Sequence, residues 1–380
     1  MSLGSLGSST AGVDLSGSYE LGQSSHLHSS SSLAIIAEGG AMRGAFTYGV
    51  VRALDRHFGL KHADYYVGSS SGIPTLLYHV TQQLDAGDVV WGERVTLDSF
   101  VERPYVGLPR VNLDFLINLL REGDLALSEE QLLHSGSRIT IPIADVQNGR
   151  PLYVSVTDGY VPFTFNDDGS VYPIDGVENL FNILRVAMKL PLVCGGPERL
   201  YGRLCSDGGG LDTFPFDVPV VRKTDHGYDV DYGIEDARKI FILTKPIGHA
   251  SKLSFLEKLF FYNAMRNTSR EERDILKRHP GCYQYRVSQI QDLRHGHVLI
   301  TPDKDLDRMR NDPEYIAQMI RHGEEKAIEN EDLQALMSDL REKDTEGRYF
   351  KPPSYDRFSL PRRSRALKIF PRKKSLQLAA

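Results

Sequence analysis

Three short clusters hold the residues of this 380-residue chain whose types and spacing could do chemistry. The first is Tyr65-Tyr66-Val67-Gly68-Ser69-Ser70-Ser71-Gly72-Ile73-Pro74, where an apolar β-type run meets a Gly-x-Ser-x-Gly turn and a helical segment follows at once. A sharp strand-to-helix turn of this kind lifts a serine hydroxyl clear of a sheet as a nucleophile, and its register selects Ser70 over its neighbours. Side chains at Gly68 or Gly72 would crowd the turn, and glycine tolerates unusual backbone angles at little cost. The second cluster is Glu38-Gly39-Gly40-Ala41-Met42-Arg43-Gly44, placed between a strand and a helix, an arrangement that presents backbone N–H groups to an anion. A Walker loop would end in Gly-Lys-Ser/Thr, which is missing, and a dinucleotide fingerprint would carry glycine at Ala41 with an acid about 20 residues on. The third use of such N–H groups is an oxyanion hole beside a nucleophile. The last cluster is Tyr201-Gly202-Arg203-Leu204-Cys205-Ser206-Asp207-Gly208-Gly209-Gly210, a short strand that delivers an acid into three glycines. It reads either as a surface turn or as an acid held where backbone must approach closely.

The elements that position these clusters are legible as local patterns. Ser32–Ala37 is a continuous apolar run suited to a buried parallel strand, with a helix over Ala45–Phe58. The serine turn leads into a helix from about Ile73 to Gln83, with Pro74 in its first turn, where a missing N–H costs least. This βα-βα start implies a parallel sheet with Ser70 at a strand C-terminal edge, where open α/β sheets place ligands. Arg138–Val146 and Pro151–Val156 flank Gln147-Asn148-Gly149-Arg150 and read as a hairpin. Helices are expected over Asn112–Gly123, Val177–Lys189, Leu253–Met265, Arg270–Lys277, Pro313–Arg321 and Glu331–Leu340, with strands at Ile240–Thr244 and Gly296–Ile300.

Composition narrows the function classes. No apolar run approaches the roughly 20 residues that span a bilayer. The three cysteines, Cys194, Cys205 and Cys282, lack metal-ligand spacing and read as reduced thiols of a cytoplasmic protein. Net charge is −5, yet the segment from Arg357 to the C-terminus carries eight basic residues and no acidic one, leaving −13 on the remainder. Apolar Phe358, Leu360, Leu367, Ile369, Phe370 and Leu376 interleave with those basic residues, which suits either peripheral contact with an anionic membrane or a solubilising tail. Nucleic acid is not an expected partner, because the acidic body opposes it.

Ser70 needs a base. A histidine triad could draw on His226 or His295, which follow Asp207 but lie in polar, loop-like surroundings. A Ser70–Asp207 dyad is simpler, with the carboxylate taking the serine proton directly. In order and spacing, the glycine loop, the serine turn and Asp207-Gly208-Gly209 resemble the three motifs of patatin-like phospholipases, and Leu190-Pro191-Leu192 resembles the segment that precedes the family's aspartate. The resemblance spans roughly residues 33–245, and the remainder is similar to the C-terminal extension of a bacterial subgroup.

It implies a three-layer α/β/α fold with a mainly parallel central sheet, plus a mainly helical C-terminal region. The expected layout is a disordered Ser/Gly-rich leader (1–32), a catalytic domain (33–245), a helical extension (246–348) and a Pro/basic tail (349–380). The implied activity is hydrolysis of phospholipid or other acyl-ester lipids, with Ser70 as nucleophile, Asp207 as base and the N–H groups of Gly39, Gly40 and Ala41 as oxyanion hole. Arg43, Gly44, Gly68, Gly72, Gly208 and Gly209 support the motifs. No cofactor or metal is implied. A lipid-binding protein without turnover and a Ser-His-Asp carboxylesterase are the alternatives. Ala41 stands where the family usually has a third glycine, a departure that is harmless if its φ is negative and costs roughly 1 kcal/mol or more if it is positive.

Overall fold

The computed structural model describes residues 32–103, 109–248, 269–293 and 296–352. The expected leader before Ser32, the helix over 253–265, His295 and the basic segment 357–380 lie outside the described residues. In chain order the elements are β1 (Leu33–Ala37), α1 (Gly44–Arg56), β2 (Tyr65–Gly68), α2 (Gly72–Val80), α3 (Leu84–Val89), β3 (Val101–Glu102) and β4 (Arg110–Val111). They continue with α4 (Leu113–Arg121), α5 (Glu129–Leu133), β5 (Arg138–Asp145), β6 (Arg150–Val156), β7 (Tyr160–Phe165) and β8 (Val171–Pro173). Then follow α6 (Leu180–Ala187), β9 (Glu198–Leu200), β10 (Arg203–Asp207), β11 (Val220–Thr224), β12 (Gly227–Asp231) and β13 (Arg238–Ile242). The last elements are α7 (Arg270–Asp292), β14 (Val298–Ile300), α8 (Pro313–Ile328) and α9 (Glu331–Lys343).

A single sheet organises the rest. Strands β14-β13-β1-β2-β5 run parallel, and β6, β7 and β8 extend the sheet antiparallel from β5. Every residue of β1 is buried, as its unbroken apolar run requires of a central parallel strand. Its side chains alternate between two cores. Leu33, Ile35 and Ala37 join the cluster that includes Val50 and Leu54 of α1, Leu77 of α2 and Ile316 of α8. Ala34 and Ile36 face the opposite layer, with Phe214, Phe216 and Val287 and Ile290 of α7. Three α/β/α layers result, with α8 and α9 covering one face of the sheet and α7 the other.

The hairpin β5–β6 turns where Asn148-Gly149 predicts, with Asn148 N donating to Asp145 Oδ1 at 3.0 Å and Gly149 at φ 64°. One expected helix runs well past its pattern, and one strand had no expectation at all. Helix α7 does not stop near Lys277 but runs through Pro280 to Asp292, because Ser269 and Glu272 form a capping box and the buried stripe of Ile275, Val287 and Ile290 carries on past the proline. Strand β7 was hidden by Pro162, which normally argues against a strand but here pairs with Val154.

The C-terminal region is joined closely to the elements from β1 to β13. β14 pairs with β13 in the central sheet. Where α8 crosses α1, a Cβ on Gly49 would stand 2.0 Å from the Ile320 carbonyl oxygen and one on Gly323 would stand 2.1 Å from that of Phe46. Arg52 on α1 locks the crossing through a bond of 2.7 Å to Glu324 Oε2. Tyr349, first residue of the expected tail, is buried and donates its hydroxyl to Asp64 Oδ2 at 2.8 Å. Among the described residues no helix is long and apolar enough to cross a membrane.

Candidate active site

One strand brings the two chemically interesting ends together. The first residues of β5, Arg138–Thr140, pair in parallel with Tyr65–Val67 of β2. Further along, Ile143–Asp145 pair antiparallel with Cys205–Asp207 of β10, while Ile139–Asp145 pair with β6. With β6 on one edge, β2 and β10 share the other edge end to end, running toward each other. Gly68 leads out of β2 into the serine turn, and Asp207 closes β10, so both arrive over the gap near Pro142. Gly208 must be glycine here, since a Cβ would lie 2.2 Å from the Pro142 carbonyl.

At the serine turn, Gly72 N donates to Ser69 O at 2.9 Å and Ile73 N to Ser70 O at 3.1 Å. Ser70 itself takes the left-handed backbone, with φ 47°. The strain expected of the flanking glycines therefore falls on the serine. Gly68 and Gly72 serve by close approach instead: a Cβ on Gly72 would stand 2.9 Å from Ala37 O, and one on Gly68 would stand 3.0 Å from Ile73 Cα. The six helices α4 to α9 each begin with a side chain that accepts an N–H of the first turn. Helices α1 and α2, which leave the glycine loop and the serine turn, do not.

The glycine loop lies against that turn, and a Cβ on Gly39 would meet Ser70 Cβ at 2.5 Å. Gly39 N donates to Ser69 Oγ at 3.0 Å and Gly40 N to Ser71 Oγ at 3.1 Å, so two of the three expected oxyanion donors are already engaged. Among the described residues the Ala41 N–H has no hydrogen-bond partner. The loop is held from behind by residues that local patterns did not single out. Thr244 Oγ1 donates to Gly39 O at 2.9 Å, and the buried Glu38 carboxylate accepts Thr244 N at 2.7 Å and lies 3.3 Å from Lys245 Nζ. Arg43 is buried, with Nε 3.4 Å from Gly40 O and Nη1 3.5 Å from Asp305, and Met42 N donates to Arg308 O at 3.1 Å.

Ala41 has φ 52°. A left-handed alanine costs roughly 1–2 kcal/mol, more than the roughly 0.4–1 kcal/mol it saves by restricting the unfolded chain. Ala41→Gly is expected to raise unfolding free energy by up to about 1 kcal/mol without loss of any activity. A denaturant titration showing the variant less stable would mean the loop is unstrained at this position.

Asp207 is buried, and its Oδ1 accepts the Gly209 N–H at 2.8 Å. Burial pushes its carboxyl up to about 6, against the opposing pull of the Ser70 hydroxyl and the Gly209 N–H. Its other oxygen, Oδ2, has no hydrogen-bond partner of full geometry, so the Ser70 contact is loose, as is common before a substrate draws such groups together. Arg43 closes the glycine loop, Gly44 opens α1, and Gly209 lies in the turn that follows Asp207.

Of the histidines considered, His226 is exposed on the β11–β12 turn. The fold instead brings His279 of α7 near the Gly209 carbonyl, where burial and then Lys245 hold its ring neutral. It lies 72 residues beyond Asp207 on a helix that the sequence pattern cut short. An apolar cavity opens beside the turn. Ser70, Ser71 and Ala41 line it together with Trp91, Phe100 and Leu116. A hydroxyl next to a carboxylate of raised basicity, with backbone donors and an apolar cavity adjoining, has the parts for acyl transfer to and from a hydrophobic chain.

Comparison with known proteins bears on the same region. No curated protein matches the chain. Among solved structures it is similar to VipD from Legionella pneumophila, at 9% identity over 81% of this chain and 67% of that one, with a TM-score of 0.44. Residues 35–220 match the family model of the patatin-like phospholipases, a stretch that takes in the glycine loop, the serine turn and Asp207. The chain thus carries, over residues 35–220, a patatin-like phospholipase domain.

Proposed function

We propose that this protein cleaves fatty-acyl esters of phospholipids or related lipids by a Ser70–Asp207 dyad. The observation that carries the reading is a strained Ser70 set between an Asp207 carboxyl with pKa about 6 and an apolar cavity sized by bulky side chains. Asp207 takes the Ser70 proton as Oγ bonds to the ester carbonyl carbon. Negative charge on the carbonyl oxygen is met by backbone N–H groups of the glycine loop, with Ala41's standing open. The carbonyl re-forms as the bond to the alcohol oxygen breaks, and Asp207 returns the proton to that leaving oxygen. Water then repeats the sequence on the acyl-enzyme: Asp207 takes its proton, the fatty acid departs, and the proton goes back to Ser70 Oγ. Arg43, pinned to Gly40 O, keeps the loop in shape rather than meeting the substrate.

The test is fluorophosphonate labelling together with hydrolysis of a phospholipid and of a soluble acyl ester. Wild type is expected to label and turn over, and Ser70→Ala to lose labelling and at least about 10³-fold in kcat. Labelling that survives in Ser70→Ala sinks the assignment. A second reading, lipid binding without turnover, is favoured by the engagement of the Gly39 and Gly40 N–H groups. It predicts that wild type binds lipid yet never labels.

A further inference from the structure

The serines beside Ser70 take no part in the steps above, yet each holds an N–H that the oxyanion would need. They are not equivalent. Ser69 is fully buried, so the Gly39 N–H is committed to it. Ser71 is half-buried and lines the same cavity as Ser70. It also sits at the N-cap of α2, where a serine usually turns its hydroxyl on the second or third N–H of the helix. Here the third helical residue is Pro74, which has no N–H, and the Ile73 N–H is taken by Ser70 O. Deprived of a helix to cap, Ser71 Oγ accepts from Gly40 N instead, at 3.1 Å.

We infer that Ser71 is a positioning residue that latches the oxyanion hole: its hydroxyl occupies the Gly40 N–H until the tetrahedral intermediate displaces it. The inference rests on the acyl-hydrolase reading above. A part-buried donor with no acceptor would be costly, so a placeholder keeps the loop in its folded shape between turnovers. A substrate carbonyl is a neutral acceptor that does not outcompete the hydroxyl. An oxyanion is charged, forms the stronger bond, and takes the donor as Ser71 turns about its single χ1 bond into the cavity. Breaking the placeholder contact is then part of the barrier, so it is felt in kcat more than in KM.

The measurement is kcat and KM on a soluble p-nitrophenyl ester, with the rate of fluorophosphonate labelling, for wild type, Ser71→Ala and Ser71→Thr. Ser71→Ala is expected to raise kcat and the labelling rate together by about threefold to tenfold, the worth of one neutral hydrogen bond, with KM unchanged. Ser71→Thr keeps the acceptor and is expected to stay at or below wild type. Labelling of wild type that Ser71→Ala leaves unchanged or slows overturns the latch alone. If neither protein labels, the acyl-hydrolase reading falls and the latch with it. Labelling of Ser71→Ala where wild type barely reacts supports the latch in its strongest form.

Discussion

Asp207→Asn is expected to abolish turnover and, above pH 6, to make the folded protein more stable. The loss follows from the proposed role: a general base contributes about 10² to 10⁴ in rate, and an amide cannot serve as one. In wild type, kcat/KM should rise with pH through an apparent value near 6 and then level off, because Asp207 must shed its proton to act and its carboxyl is pushed up to about 6. The stability gain follows from the same burial. A carboxyl whose proton is held more tightly folded than unfolded adds nothing adverse below about pH 4, costs progressively more as pH rises from 4 to 6, and above that imposes a constant penalty. A rise from 3.8 to about 6 corresponds to roughly 3 kcal/mol. Asparagine carries no charge and keeps an oxygen for the Gly209 N–H, so up to that amount should return at pH 7.5 and none at pH 4. Urea unfolding at the two pH values measures it. A variant equally destabilised at both would show that the carboxylate is a structural group and not a strained one.

Gly49→Ala should be among the most damaging single changes far from the reacting atoms. In an ordinary helix interior this substitution would help, by about 1 kcal/mol of helix propensity. In α1 the new methyl would stand 2.0 Å from the Ile320 carbonyl oxygen, a backbone atom of α8 that cannot step aside as a flexible side chain could. Relief requires the helices to part, undoing close packing along the crossing and the Arg52–Glu324 bond. A net loss of about 3 kcal/mol or more is expected. Gly323→Ala, whose methyl would meet Phe46 O at 2.1 Å, should behave alike, and the pair should fall short of additivity because they spoil one contact. Since α1 leaves directly from the glycine loop, kcat should fall with stability even in the folded fraction. A Gly49→Ala protein that unfolds at the wild-type denaturant concentration would refute the tight crossing.

Much of this architecture was legible because it rests on local rules. The buried run Leu33–Ala37 and the Asn148-Gly149 turn are each decided by residues within a few positions of one another. The placement of Ser70 and Asp207 as candidates was legible for a related reason, since close backbone approach leaves glycine as its mark. What escaped depends on partners remote in the chain. Nothing near Thr244, Asp305 or Arg308 announces that they brace a loop some 200 residues earlier or more. His279 was invisible as a histidine beside the site because Pro280 disguised its helix. The φ of Ala41 could be posed as a question from the sequence and answered only by the fold.

The end-to-end meeting of β2 and β10 on one edge of β5 has a consequence for how this site could change over time. Spacing between Ser70 and Asp207 is written in the count of residues from Thr140 to Ile143, not in any loop. Loops elsewhere can lengthen, and cavity walls can be rebuilt for other acyl chains, without touching that count. A single inserted residue within it would shift one partner by about 3.3 Å and turn its side chain to the opposite face of the sheet. The Ser70–Asp207 spacing is thereby fixed by a ruler three peptide units long, while the cavity around it stays free to drift.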